Sequence, residues 1–236
     1  MEAFLEFARG PLFRLAFAIM ALGLLRHLAL HIFGMAQALK RVDSPVRPYA
    51  ASFSKLTKTT LKWLVPITHM KNRVVYTVTS IIFHIGLILV PVFLFAHIKL
   101  WREGVGFGWY AISQRLADVL TLTVIVTGIL LFIMRVANRD SRFLSRSQDY
   151  LLPWLLIIPF ISGYLAMHPQ LNPFPYTMTM IIHVLSGELV LVLMPFTKIT
   201  HCVLYPFVHY ASNYAWRFVP TGGEDVLKSL GKDGSV

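Results

Sequence analysis

The sequence predicts an all-α integral membrane protein with five transmembrane helices, and three observations predict it. Of 236 residues, 56% are hydrophobic and only 14% are charged, whereas soluble domains carry roughly 25% charge. Five segments are each long enough to cross a hydrocarbon core of roughly 30 Å, which takes about 20 residues. Basic and base-poor loops alternate along the chain, as the positive-inside rule requires of a chain that threads back and forth.

The five segments lie near 11–38, 74–100, 115–136, 149–168 and 176–206. They leave no room for a separate soluble domain, so residues 1–236 read as a single membrane domain. Glu2 and Glu6 precede the first apolar run, where a secretory signal would carry positive charge and lead to a small-residue cleavage site. The first span is therefore expected to be retained as an anchor. The lone cysteine, Cys202, excludes a disulfide framework and an iron–sulfur cluster, which needs about four ligands. It reads as a small packing residue.

Orientation follows from loop charge. The loop Lys40–Arg73 holds eight bases (40, 41, 47, 55, 58, 62, 71 and 73) against one acid, Asp43. The loop after the third span adds Arg135, Arg139, Arg142 and Arg146, and the tail carries Arg217, Lys228 and Lys232. By contrast, residues 101–114 contain one base, Arg102, and Pro169–Pro175 none. The basic side is expected to be cytoplasmic, with the N-terminus outside and the C-terminus inside. The net charge of +11 is then a matter of topology, and no nucleic acid is expected as a partner. The Lys40–Arg73 loop is longer than orientation demands and reads as a docking surface for an acidic cytoplasmic subunit or anionic headgroups.

Nine histidines are many for so apolar a chain, and His27, His31, His84, His97, His183 and His201 fall inside the predicted spans. Ionisable groups at membrane depth are costly and mark function, and neutral imidazole is a common axial ligand of haem iron. A single buried histidine is ordinarily a helix-packing residue, but matched pairs are harder to explain that way. The second span runs outward and the fifth inward, so depth pairs His84 with His201 and His97 with His183. That arrangement stacks two bis-histidine sites across the membrane. Residues 18 apart, as His183 and His201 are, share a helix face and rise roughly 27 Å. His84 and His97 are 13 apart, which turns their azimuths far apart on a straight helix. Pro91 and Pro195 lie where each helix would bend.

The stretches FHIGLILVPVFLFAHIKLW and IIHVLSGELVLVLMPFTKITH resemble the dihaem cytochrome b subunits related to the gamma subunit of respiratory nitrate reductase. The resemblance covers roughly residues 74–206, and span number and orientation agree with it. The second histidine of the second span sits closer to the first in the nitrate reductase subunit, at a place near Leu94 here. The chain is thus more similar to the branch that serves sulfite-reduction-associated and heterodisulfide-reductase-like complexes. The resemblance implies a haem-binding bundle formed mainly by spans two to five and two haems b on His84, His201, His97 and His183. It also implies a quinone substrate, with menaquinone the expected one, and iron–sulfur or other redox subunits on the cytoplasmic side. Extracytoplasmic c-type cytochromes are further expected partners. The function it implies is electron transfer between the quinone pool and a partner redox subunit in the cytoplasmic (inner) membrane of the cell. Two other classes stay open on the residues alone: the four-span cytochrome b of hydrogenases and formate dehydrogenases, and a non-redox transporter or anchor.

The remaining polar residues take places around these sites. Asp118 and Glu188 are the carboxylates inside spans. Asp118 lies at outer-haem depth, with His168 ending the fourth span on the same side, and the two are candidate proton acceptors for quinol oxidation. The plainer reading of Asp118 is an ion pair with Arg115 or Arg102. His27 and His31 are four apart on one face of the first span and suit a quinone pocket, a proton path, an extra ligand set with His69, or simple interhelical bonding. Lys99, Lys198 and Arg73, with Lys71 and Arg102, lie at the rims, where cations bind haem propionates or snorkel. Gly86 and Gly187 leave room for a macrocycle or for close helix packing.

Overall fold

A computed structural model describes residues 1–41, 57–58, 61, 74–215 and 231, and among them every regular element is helical. Helix α1 begins at Glu2 and runs to Arg41 through a π turn at Ala8–Leu12. α2 is Val74–Phe93, α3 Phe95–Val105, α4 Gln114–Ala137 and α5 Arg139–Leu144. α6 is Ser147–Met167, α7 Tyr176–Leu193 and α8 His201–Ala215. Five helical stretches are long and apolar enough to cross a membrane: Glu2–Gln37, Val74–Phe93, Gln114–Ala137, Ser147–Met167 and Tyr176–Phe196. This is a multi-pass, all-α membrane protein. The stretch Lys71–Arg73, His69 and most of the basic loop lie outside the described residues.

Three boundaries differ from those read off hydropathy. The first helix starts at Glu2, because a wide π turn accommodates Pro11 without ending it. The second span is two helices, α2 and α3, separated by extended Leu94 (φ −69°, ψ 129°). The fifth is interrupted by 3-10 turns at Met194–Phe196 and Lys198–Thr200 around Pro195. Neither the 13-residue nor the 18-residue interval therefore lies on one continuous helix.

The chain forms two compact units, Met1–Ala18 with Met70–Val192, and Ile19–His69 with Leu193–Val236. In the first, α2, α4 and α6 pack around Phe83, Val90, Val124 and Phe160. Close approach comes from glycine. A Cβ on Gly86 would lie 2.5 Å from Val124 Cγ2, and one on Gly128 2.7 Å from Ile157 Cδ1. Gly86 thus serves helix packing, the small-residue contact common in membrane bundles. Outward positions such as Ile88, Val119, Val126 and Ile133 are exposed and apolar, as a lipid-facing surface requires. Hydroxyls within the spans bond back to their own helices, Thr123 to the Val119 carbonyl and Ser162 to that of Ile158, so these groups need nothing from lipid.

The two ends of this unit are built differently. At one rim Arg135 donates to Ser145 Oγ at 3.0 Å and to the Tyr76 hydroxyl at 3.4 Å, and lies 3.9 Å from Asp149. The end of α4 and the starts of α2 and α6 meet there, so the three helices alternate in direction. The opposite rim holds the Leu94 break, the start of α4 and the end of α6.

Candidate functional site

The break at Leu94 poses an accounting problem, because the last four carbonyls of a helix lack intrahelical donors and must be satisfied within a membrane protein. Each finds a separate partner. The Leu94 N–H donates to the Val90 carbonyl at 3.0 Å. His97 Nδ1 donates to Pro91 O at 2.9 Å, and the Trp109 indole N–H to Val92 O at 2.9 Å. The Ile112 N–H closes on Phe93 O at 3.0 Å. The helix end thus orients His97, and the loop after α3 closes over that end. Trp109→Phe, which keeps the ring and removes the N–H, is expected to cost about 1 kcal/mol and to lower the thermal midpoint by roughly 2–4 °C. An unchanged midpoint in detergent would show that the indole bond does not hold the break.

His183 on α7 is held in the same manner. Its Nδ1 donates to the Pro159 carbonyl of α6 at 2.8 Å, a second bond that a carbonyl's two lone pairs allow. Gly163, one turn further along α6, makes room for the ring: a Cβ there would lie 2.9 Å from His183 Cε1 and 3.0 Å from Nδ1. The result brings His97 and His183 together. Their ring centroids are 6.0 Å apart, with planes 16° from parallel.

The separation of the two rings matches that of two imidazoles sharing one metal. A metal–imidazole bond is about 2 Å and the ring centre lies about 1 Å beyond the nitrogen, so two imidazoles on opposite sides of one metal put their centres roughly 6 Å apart. Histidines that bind metal characteristically donate the other ring N–H to a carbonyl or carboxylate, which fixes the tautomer. Both rings do so through Nδ1, which leaves the lone pair on Nε2. Gly187 lies one turn from His183 on the same face of α7, and a Cβ there would meet nothing within 4 Å, so space is open beside the ring. Among the described residues no three His, Cys, Asp or Glu gather around a point. A porphyrin iron takes only one or two axial ligands from the protein.

The other two predicted ligands share this second contact. His84 Nδ1 lies 2.7 Å from Ser80 O, one turn back on α2, and His201 Nδ1 lies 2.6 Å from Lys198 O. His84 belongs to the first unit and His201 to the second, so their pairing stays an expectation from depth. His27 is held by its other nitrogen, with Nε2 2.8 Å from the Pro195 carbonyl. Gly23 packs against the same proline, where a Cβ would lie 2.5 Å from Pro195 Cβ. His27 therefore ties α1 to the Pro195 turn, the interhelical bond that was one of its readings. His31 Nε2 is buried without a hydrogen-bond partner in the described residues.

Asp118 and His168 also come together. His168 Nε2 is 3.5 Å from Asp118 Oδ2, Gln114 donates to Asp118 Oδ1 at 2.9 Å, and His168 Nδ1 donates to Tyr164 O at 2.9 Å. The Tyr164 ring stacks on the imidazole at 4.1 Å. Among the described residues Asp118 thus contacts an imidazole and an amide and neither of the two arginines. Lys99 pairs with Glu103 at 3.7 Å on an exposed face, which is a weak surface contact. Arg73 lies outside the described residues. Arg9, to which the sequence alone assigns no role, lies half-buried in the π turn of α1, in the same unit as His183. Its signal is a lone arginine before Gly-Pro, just ahead of the span expected from residue 11.

Fold and site together define a multi-pass, all-α membrane protein with a carbonyl-anchored histidine pair in the first unit. The chain is 32% identical over 202 residues to a protein of Nitratidesulfovibrio vulgaris strain Hildenborough, an overlap of 84% of this chain and 87% of that relative, and it belongs to that protein's family. The relative's description names no activity. No protein-family model matches the chain, and no solved structure does.

Proposed function

We propose that the chain is a dihaem cytochrome b that moves electrons between the quinone pool and a partner redox subunit. The observation that carries this reading is the His97–His183 pair, spaced for one iron and anchored on both sides through Nδ1. His97 and His183 would hold one haem, and His84 and His201 the other. When bound, the haems supply one-electron transfer, and the protein contributes ligands, orientation and electrostatics.

The chain's own residues supply the proton chemistry. Two-electron oxidation of a quinol releases two protons, and a positioned base must accept them. Asp118 and His168 lie at the same rim as the Leu94 break, with the carboxylate held by Gln114 and the imidazole by the Tyr164 carbonyl. Asp118 accepts a proton at Oδ2 and shares it with His168 Nε2. In this reading the rim faces outward, protons leave on that side, and electrons leave toward cytoplasmic iron–sulfur subunits. Menaquinone is the proposed quinone, c-type cytochromes are the proposed outer partners, and the inner membrane is the site of action.

Two measurements test the reading. Purified complex should contain about two non-covalent haems b per chain, visible as a b-type α band in the reduced-minus-oxidised spectrum. A preparation with no haem assignable to this chain ends the proposal. Asp118→Asn should slow quinol-driven haem reduction about 100-fold with haem content unchanged, while His31→Ala leaves the rate intact. The opposite pattern would move the quinone site to the inner rim.

A further inference from the structure

One ionisable group within the spans has no part in the chemistry above. Glu188 lies on α7, five residues beyond His183, and is 5% exposed. Both carboxyl oxygens are buried without a hydrogen-bond partner in the described residues. Of the other carboxylates in the first unit's spans, Asp118 is engaged with His168 and Gln114 and Asp149 with Arg135, while Glu2 and Glu6 lie exposed at the start of α1. The remaining titratable groups of α7 are Tyr176 and His183. Those of α6, packed beside it through Pro159 and Gly163, are Asp149, Tyr150 and Tyr164, with His168 just beyond its end. α3 adds His97, Lys99, Arg102 and Glu103, and the part of α1 in this unit adds Glu2, Glu6, Arg9 and Arg14. No ion pair links any of them to Glu188.

An ionised carboxylate without a partner in a low-dielectric interior costs several kcal/mol. A neutral carboxyl there still forfeits its hydrogen bonds. Intramembrane carboxylates persist where they do work, and what Glu188 lacks is an intermittent positive charge. A ferric porphyrin with two neutral imidazoles carries one net positive charge at its core, and the ferrous form carries none. Five residues along a helix is a rise of roughly 7.5 Å with a turn of about 140° away from the His183 face, a separation across which that charge still acts through a poorly screened interior.

We infer that Glu188 is a redox-linked proton site, ionised as the counter-charge to an oxidised haem at His97–His183 and protonated when that haem is reduced. The inference rests on the dihaem reading above. The step balances. One electron from quinol enters and one proton adds to a Glu188 oxygen, forming an O–H bond. When the electron leaves for the partner subunit, that bond breaks and the proton departs.

The test is a potentiometric titration of the intact complex at several pH values, followed on the α band, for the wild type, Glu188→Gln and Glu188→Asp. In the wild type the midpoint potential of one haem should fall as pH rises, approaching one proton per electron. Glu188→Gln should retain both haems and lose that slope, and Glu188→Asp should keep it. A Glu188→Gln protein with two haems and the wild-type slope overturns the inference. Should that variant fail to assemble, redox-induced infrared difference spectra of the wild type decide. A protonated-carboxyl C=O band that appears on reduction and shifts in D2O supports the site, and its absence overturns it. A wild type without haem fails at the haem assay, which marks failure of the cytochrome reading and is distinct from a flat slope in a protein that holds both haems.

Discussion

His183→Ala is expected to leave the chain with about half of its haem, because bis-imidazole ligation cannot survive loss of one axial donor that no neighbour replaces. Alanine removes Nε2 and frees the Pro159 carbonyl that Nδ1 holds at 2.8 Å. It also empties the space that Gly163 keeps clear for the ring. His97→Ala should remove the same haem, identified by loss of the same component in low-temperature optical and electron paramagnetic resonance spectra. Two single variants that lose different components, or a His97→Ala protein that keeps both, would show that the 6.0 Å ring contact is packing alone.

The second large effect falls on the other pair. His84→Ala and His201→Ala should each remove the remaining haem, leaving the His97–His183 component intact. Quinol should still reduce that component in these variants, while electron delivery to an acceptor on the opposite side falls by orders of magnitude, since the relay has lost a member. The measurement is stopped-flow reduction by a quinol analogue beside steady-state turnover with the partner complex. Turnover at the wild-type rate in both variants would remove His84 and His201 from the path.

Much of the fold was legible because hydropathy is a property of long windows. The apolar runs near 74–100, 115–136, 149–168 and 176–206 stand out whatever happens inside them. Their interruptions were harder to read. Leu94 is an unremarkable residue by propensity, and Pro91, the visible breaker, sits three positions earlier and inside α2. What ends the helix is tertiary: Trp109 and Ile112 return from the next loop to take two of its carbonyls. For the same reason the interval between His84 and His97 was the weakest point of the helical arithmetic, since the register restarts at the break. The nearness of His97 and His183 was accessible through depth alone, which does not depend on azimuth. The partners of Asp118 were not, because choosing an imidazole over a nearby arginine is a matter of side-chain placement at the end of α6.

The anchoring of the two imidazoles has a consequence for how the protein is made. Pro91 and Pro159, both backbone groups of the bundle, aim His97 and His183. The entropy of ordering these side chains is therefore spent when the polypeptide folds, and a later ligand meets a preorganised cradle and binds more tightly for it. If the proposed haem binds there, membrane insertion and cofactor loading become separable events. Under the dihaem proposal the chain would complete its bundle in the bilayer before haem arrives, and supply of the cofactor would then govern activity without governing whether the polypeptide survives.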